Sequence, residues 1–167
     1  MKRDADRDSL FEQVLDRNRR RLLSIARSYA KGDECQDLYQ EMQLQIWKSL
    51  DGFEGRSSAD TWIYRIALNT ALTYRRRADA HARHAAAQAH DAGEVTQQVA
   101  PPASTGDLEL LRQFISTLGE IDKAVFVLYL DDLTYREMAE ILGMSEGNVA
   151  VRINRIKKNF IARYCDR

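Results

Sequence analysis

The segment from Thr134 to Ile153 constrains this chain most, because it accepts little except two short helices meeting at a sharp turn. Thr134 followed by Glu137 is a capping box, in which each side chain satisfies the other residue's free backbone N–H. Met138, Ala139, Ile141 and Leu142 are apolar at helical spacing, and Ala139 is small where two helices would approach closely. Gly143-Met144-Ser145 reads as the turn, with glycine where a left-handed backbone makes a Cβ costly. Ser145 then caps a last helix running from Glu146 to about Tyr164. Val149 and Ile153 share one face and pack back on the preceding helix.

This layout is a helix-turn-helix. It leaves Asn148, Val151, Arg152, Asn154 and Arg155 near the outward face, with Ser145 and Glu146 at the helix start. Asn and Arg can bond bidentately to adenine or guanine edges in the major groove. Lys157 and Lys158 suit phosphates, contacts that position a protein without reading sequence. A helical hairpin with a solvated basic end is the plainer alternative, but cap, turn glycine and basic helix coincide.

The chain's zero net charge at first argues against nucleic acid. Its distribution argues the other way. Residues 145–167 carry six cations against two acids, net +4, whereas residues 107–144 carry eight acids against three cations, net −5. A basic tract can meet phosphate while acidic faces meet something else.

Only two prolines and eight glycines interrupt the 167 residues, so helix is expected throughout. A first helix is expected over 9–31, opened by Ser9 and Glu12 as a capping box, with Leu10, Val14, Leu22, Ile25, Ala26 and Tyr29 as its stripe. A second runs from about Cys35 to Leu50 on Leu38, Met42, Ile46, Trp47 and Leu50. After the loop Asp51-Gly52-Phe53-Glu54-Gly55, Ser57 or Ser58 caps a third reaching about Arg77. Its expected buried face is Trp62, Ile63, Ile66, Ala67, Thr70 and Tyr74. Residues 78–106 are rich in Ala, Gln, His and Asp and contain Pro101-Pro102, too apolar-poor to offset their ordering entropy. They read as a flexible linker, although the alanines could extend the third helix. Leu108, Leu111, Phe114, Ile115 and Leu118, then Val125, Phe126, Leu128 and Tyr129, mark two further helices. The expected fold is all-α: two small helical domains, 1–77 and 107–167, joined by residues 78–106.

The third helix offers Trp62, Tyr64, Arg65 and Asn69, then Arg75-Arg76-Arg77. Aromatic rings interleaved with cations suit single strands, since rings stack on unpaired bases and cations follow phosphates. Alone this signal is weak, because Trp62 reads first as a core residue.

Taken together, the two halves resemble the extracytoplasmic-function sigma factors, the minimal group of the sigma-70 family. Asp37-Leu38-Tyr39-Gln40-Glu41 with Ile46-Trp47 and Leu50 looks like that family's region 2.2. Phe53-Glu54-Gly55 and the run Thr61 to Asn69 look like regions 2.3 and 2.4, and Leu133 through Arg155 looks like region 4.2. The resemblance implies that Asp37, Gln40, Glu41, Leu44 and Trp47 meet the β′ clamp helices of core RNA polymerase. It implies that Phe53 and Asn69 hold a flipped base of the −10 element, with Trp62, Arg65, Arg75, Arg76 and Arg77 along the same DNA. Flipping exposes a base edge that duplex DNA hides. It implies that the last helix reads the −35 element, that the acidic start of the second domain faces the polymerase β flap, and that an anti-sigma factor restrains the protein. Departures stand at Ala150 and Val151, where many relatives carry a cation followed by Ser, at Asp60, and at Gly119 to Lys123, which replaces the usual Leu-Pro entry.

Other signals are weaker. His81, His84 and His90 cluster in the linker without a cysteine to complete a metal site, so no metal and no cofactor are expected. Cys35 and Cys165 read as free thiols. No apolar run approaches a bilayer span and the charged N-terminus has no h-region, so a cytoplasmic protein without membrane insertion is expected. An enzyme finds no nucleophile–base pair, phosphate loop or metal cluster. A helix-turn-helix regulator that binds duplex DNA without sigma activity is the alternative, and it leaves the Asp37–Asn69 blocks without a use.

Overall fold

A computed structural model describes residues 2–88 and 106–164. All regular structure among the described residues is helical. The first helix, α1 (Lys2–Tyr29), begins before Ser9. Ser9 is therefore interior rather than a cap, and its hydroxyl accepts from Gln13 one turn on, at 3.2 Å. Tertiary contacts override the local signal: the Arg7 guanidinium lies 4.3 Å over the Trp47 ring, donates to the Trp47 carbonyl at 2.9 Å and pairs with Asp51 at 3.2 Å.

Helix α2 (Glu34–Ser49) buries Leu38, Met42 and Ile46, one residue per turn. A 3₁₀ turn (Leu50–Gly52) then leads into extended Phe53. Helix α3 (Ala59–Gln88) starts at Ser58, whose hydroxyl accepts from the Thr61 amide at 3.0 Å. Its buried residues are Thr61, Ile63, Tyr64, Ala67, Leu68 and Ala71. Trp62, Ile66, Thr70 and Tyr74, expected on the buried face, are only half-buried. The arc is rotated because α3 is covered by α1 and α2 on one side and by the sixth helix on another. The same helix runs on through Gln88, the extension that the alanines allow. Alanine, the best helix former, makes that continuation inexpensive.

Asp60, an oddity in sequence, closes the start of α3 onto α1. The buried Asn18 amide donates to it at 3.0 Å and also to the Val14 carbonyl. Arg21 approaches the other carboxylate oxygen at 3.9 Å.

The second unit comprises α4 (Asp107–Thr117), α5 (Glu120–Leu130), α6 (Tyr135–Leu142) and α7 (Glu146–Tyr164). Helix α5 buries five consecutive residues, Ala124 to Leu128, because α4, α6 and α7 cover it together with α1. Phe114 meets Phe160 and Phe126 edge-on, at 5.0 and 5.7 Å between centroids. Leu108, expected in the α4 stripe, stands exposed. The two units dock through α3 on α6 and α1 on α4 and α5.

Candidate nucleic-acid interface

Helices α6 and α7 form the turn that the sequence specifies. The Thr134 hydroxyl accepts from the Glu137 amide, and the Glu137 carboxylate accepts from the Thr134 amide at 2.8 Å. The Thr134 hydroxyl, which also donates to that carboxylate at 2.7 Å, and then the Thr134 amide hold the Glu137 carboxyl below the usual range. Gly143 has φ 66° and ψ 36°, the left-handed conformation. Ser145 Oγ then accepts from the Asn148 amide at 3.2 Å, capping α7. Val149, Ile153 and Ile156 are buried against the unit.

That burial orients the expected −35 residues. Ser145, Glu146, Asn148, Val151, Asn154, Arg155 and Lys158 are exposed. Arg152 is half-buried at the flank of α7 and turns toward α5. There it donates to one oxygen of Asp122 at 2.6 Å, while Arg155 donates to the other at 2.6 Å. Lys157 is drawn to Tyr129, its ammonium 4.3 Å from the ring centre, and the tyrosine hydroxyl raises its pKa. Asp122 was not singled out from sequence. It lies thirty residues before Arg152, and no local pattern marks such a pair.

The residues expected to touch polymerase share a stripe of α2. Asp37, Gln40 and Leu44 are exposed, and Glu41 is half-buried, accepting from Gln45 at 2.7 Å. Trp47 is different. It is half-buried under α1, between Arg7 and Phe11, whose ring meets it edge-on at 5.0 Å.

The expected −10 residues divide into two groups. Phe53 packs on Trp62 with centroids 5.1 Å apart. Asn69, Thr73 and Arg77 line a cleft of about 340 Å³ with Glu41 and Gln45 of α2, and Phe53 does not line it. Arg75 pairs with Asp79 within its own helix. Arg65 and Arg76 reach the second unit: Arg65 donates to the Glu140 carbonyl at 2.6 Å, and Arg76 pairs with Glu120 at 3.5 Å.

Two tyrosines reinforce that docking. Tyr29 donates to the Glu120 carbonyl and Tyr64 to the Asp131 carboxylate, both at 3.2 Å. Burial pushes both phenols up, with Glu120 and Asp131 adding to the effect. Burial also raises Asp131, and burial followed by Arg75 lowers Lys123, which lies over Tyr29. Tyr64 is thus a buried inter-unit residue and not an exposed stacking platform.

Among the described residues no three His, Cys, Asp or Glu side chains converge as a metal site. His81 and His84 are exposed on α3, whereas His90 and Cys165 lie outside the described residues. Cys35 is a half-buried free thiol, its pKa raised by burial. Among the described residues, no helix is long and apolar enough to cross a membrane.

Comparison with known proteins decides the family. Residues 14–81 match Sigma-70 region 2 and residues 108–160 match Sigma-70 region 4. The chain belongs to the sigma-70 family. It is similar to the ECF RNA polymerase sigma-E factor of Escherichia coli K12, 28% identical over 158 residues that cover 89% of this chain and 83% of the relative. The Haemophilus influenzae sigma-E factor is equally similar, at 28% identity over 89% of this chain and 84% of the relative. Among solved structures, the sigma factor RpoE of Bartonella quintana, in complex with the anti-sigma factor NepR, shares the fold. Its TM-score is 0.71 at 24% identity, covering 94% of this chain and 98% of that one. CnrH, in complex with the cytosolic domain of CnrY, gives 0.68 at 23%, covering 96% and 91%. Within the family the chain is an extracytoplasmic-function sigma factor, a non-enzymatic transcription initiation protein.

Proposed function

We propose that this sigma factor engages core RNA polymerase through Asp37, Gln40, Glu41 and Leu44, opens the −10 element with its first unit and reads the −35 element with α7. The β′ clamp helices are the partner of the α2 stripe, and the β flap is the partner of the acidic start of the second unit. The observation that carries the reading is the occurrence of region 2 and region 4, in that order, in one chain. A regulator that only binds duplex DNA has no use for the first.

On this reading Phe53, Trp62, Arg65, Asn69 and Arg75 to Arg77 contact the −10 strand. Arg65 and Arg76 must then leave Glu140 and Glu120, so the two units separate as promoter DNA binds. Trp47, covered by α1, supports the α2 surface from beneath. The protein works in the cytoplasm, on a stress, envelope or metal-response regulon, under an anti-sigma factor. The two solved structures above are complexes with NepR and CnrY, which supports this last point by analogy.

Charge reversal tests the assignment. Asp37→Lys with Glu41→Lys is expected to abolish binding to core polymerase while leaving the helical content unchanged. Permanganate probing of the −10 strand should then detect no open thymines. Unchanged core binding and unchanged strand opening in the reversed protein would remove the α2 assignment.

A further inference from the structure

The helical period of about 100° per residue fixes which side chains α7 can offer to a groove. Val149, Ile153 and Ile156 define the buried line. Val151, Asn154 and Lys158 lie opposite, with Asn148 beside them, and all four are exposed. Arg152 does not belong to this outer face. It lies at its margin and, with Arg155, is committed to Asp122.

That commitment is strong in kind. Each guanidinium donates to a different oxygen of one carboxylate, as charge-assisted hydrogen bonds. The Asp122 and Arg152 side chains are 21% and 32% exposed, so pulling an arginine away leaves a mostly covered carboxylate short of a partner. Two guanidiniums on one carboxylate keep a surplus positive charge. General attraction to phosphate survives, but the guanidinium donors that would read guanine are occupied by the Asp122 carboxylate, although the Arg155 side chain itself stays 56% exposed.

What remains at the centre of the outer face is an apolar side chain between two amides. Val151 is 67% exposed. A lone exposed valine needs no explanation; this one sits in the first turns of the reading helix, where base edges are met. Asn148, Val151 and Asn154 are spaced i, i+3, i+6, about 4.5 Å of helix rise per step, comparable to the roughly 3.4 Å between stacked base pairs. An asparagine pairs bidentately with adenine, and an apolar side chain contacts the thymine methyl.

We propose that α7 specifies A·T pairs, with Val151 on a thymine methyl and Asn148 and Asn154 on flanking adenine edges, while Asp122 withholds Arg152 and Arg155 from guanine. The inference rests on the −35 role given to α7 above.

The test uses the full chain reconstituted with core polymerase and a promoter library randomised through the −35 element. Selection is expected to enrich adjacent A·T pairs. Replacing each enriched thymine by deoxyuridine removes only its methyl. At one position this should weaken binding about four-fold, the worth of one buried methyl-sized group, and Val151→Ala should abolish that difference. Asp122→Asn should add guanine to the selected sequence. G·C pairs selected by the unaltered protein, or insensitivity to deoxyuridine at every thymine, overturns the proposal while leaving the sigma reading intact. A holoenzyme that enriches nothing overturns both. The deoxyuridine scan needs no variant, so it decides even where Asp122→Asn fails to fold.

Discussion

Removing the Tyr64 hydroxyl isolates the docking of the two units. Tyr64→Phe keeps the buried ring and the Arg21 guanidinium 5.5 Å from its centre, and deletes only the bond to Asp131 at 3.2 Å. A hydrogen bond to a charged group contributes about 1.5–3 kcal/mol. Asp131 is half-buried rather than enclosed, and discounting for solvent leaves about 1–2 kcal/mol. That changes the docked-to-separated ratio roughly 5–30-fold. Single-molecule energy transfer between dyes at exposed Arg17→Cys and Asn159→Cys, with Cys35 and Cys165 replaced by serine, reads the ratio directly. Arg65 and Arg76 are released on separation, so affinity for a −10 single strand should rise by the same factor, as expected when the competent fraction grows. If the dye distribution of Tyr64→Phe matches that of the unaltered protein, the hydroxyl–carboxylate bond does not hold the units together and the reasoning fails.

Other perturbations have equally definite outcomes. Thr134→Ala removes the α6 cap and should lower stability by about 1 kcal/mol in a denaturant melt. Glu137 has a folded pKa below its unfolded value, so its contribution is present above the ordinary glutamate range and disappears as pH falls through the folded value. Glu137→Gln should therefore flatten the acid limb of the stability curve, and an unaltered limb contradicts the cap's role. Gly143→Ala meets no atom within 4 Å of the new Cβ, so it should cost only left-handed backbone strain, roughly 1–2 kcal/mol in thermal melts, with the circular dichroism spectrum preserved. Asp60→Ala leaves the buried Asn18 amide without its inter-helix acceptor and should destabilise the first unit by about 1–3 kcal/mol; a neutral result by calorimetry would contradict its role in closing α3 onto α1.

What could be read beforehand follows the range of the interactions. The α6–α7 turn rests on contacts three to five residues apart, all visible in Thr134, Glu137, Gly143 and Ser145, and the structure reproduces each. The apolar lines of α2 and α7 are equally local. The start of α1 at Lys2 is not legible locally, because Arg7 is held by Trp47 and Asp51, forty or more residues away. Over 78–88 the sequence leaves linker and helix both open, because low apolar content and alanine's helix propensity point opposite ways, and the structure is helical there. In the candidate interface, exposure of Asn148, Val151 and Asn154 follows from helical periodicity. The capture of Arg152 and Arg155 by Asp122, of Arg65 by Glu140 and of Tyr64 by Asp131 depends on how helices meet, which periodicity does not encode.

Reconstituted run-off transcription tests the central claim most directly. Core RNA polymerase plus the purified chain, supplied with fragmented DNA from the source genome, should yield discrete transcripts with shared sequence blocks upstream of their starts. Omission of the chain should abolish them. Duplex DNA binding by the chain, with no start site directed by the combined proteins, would contradict the account.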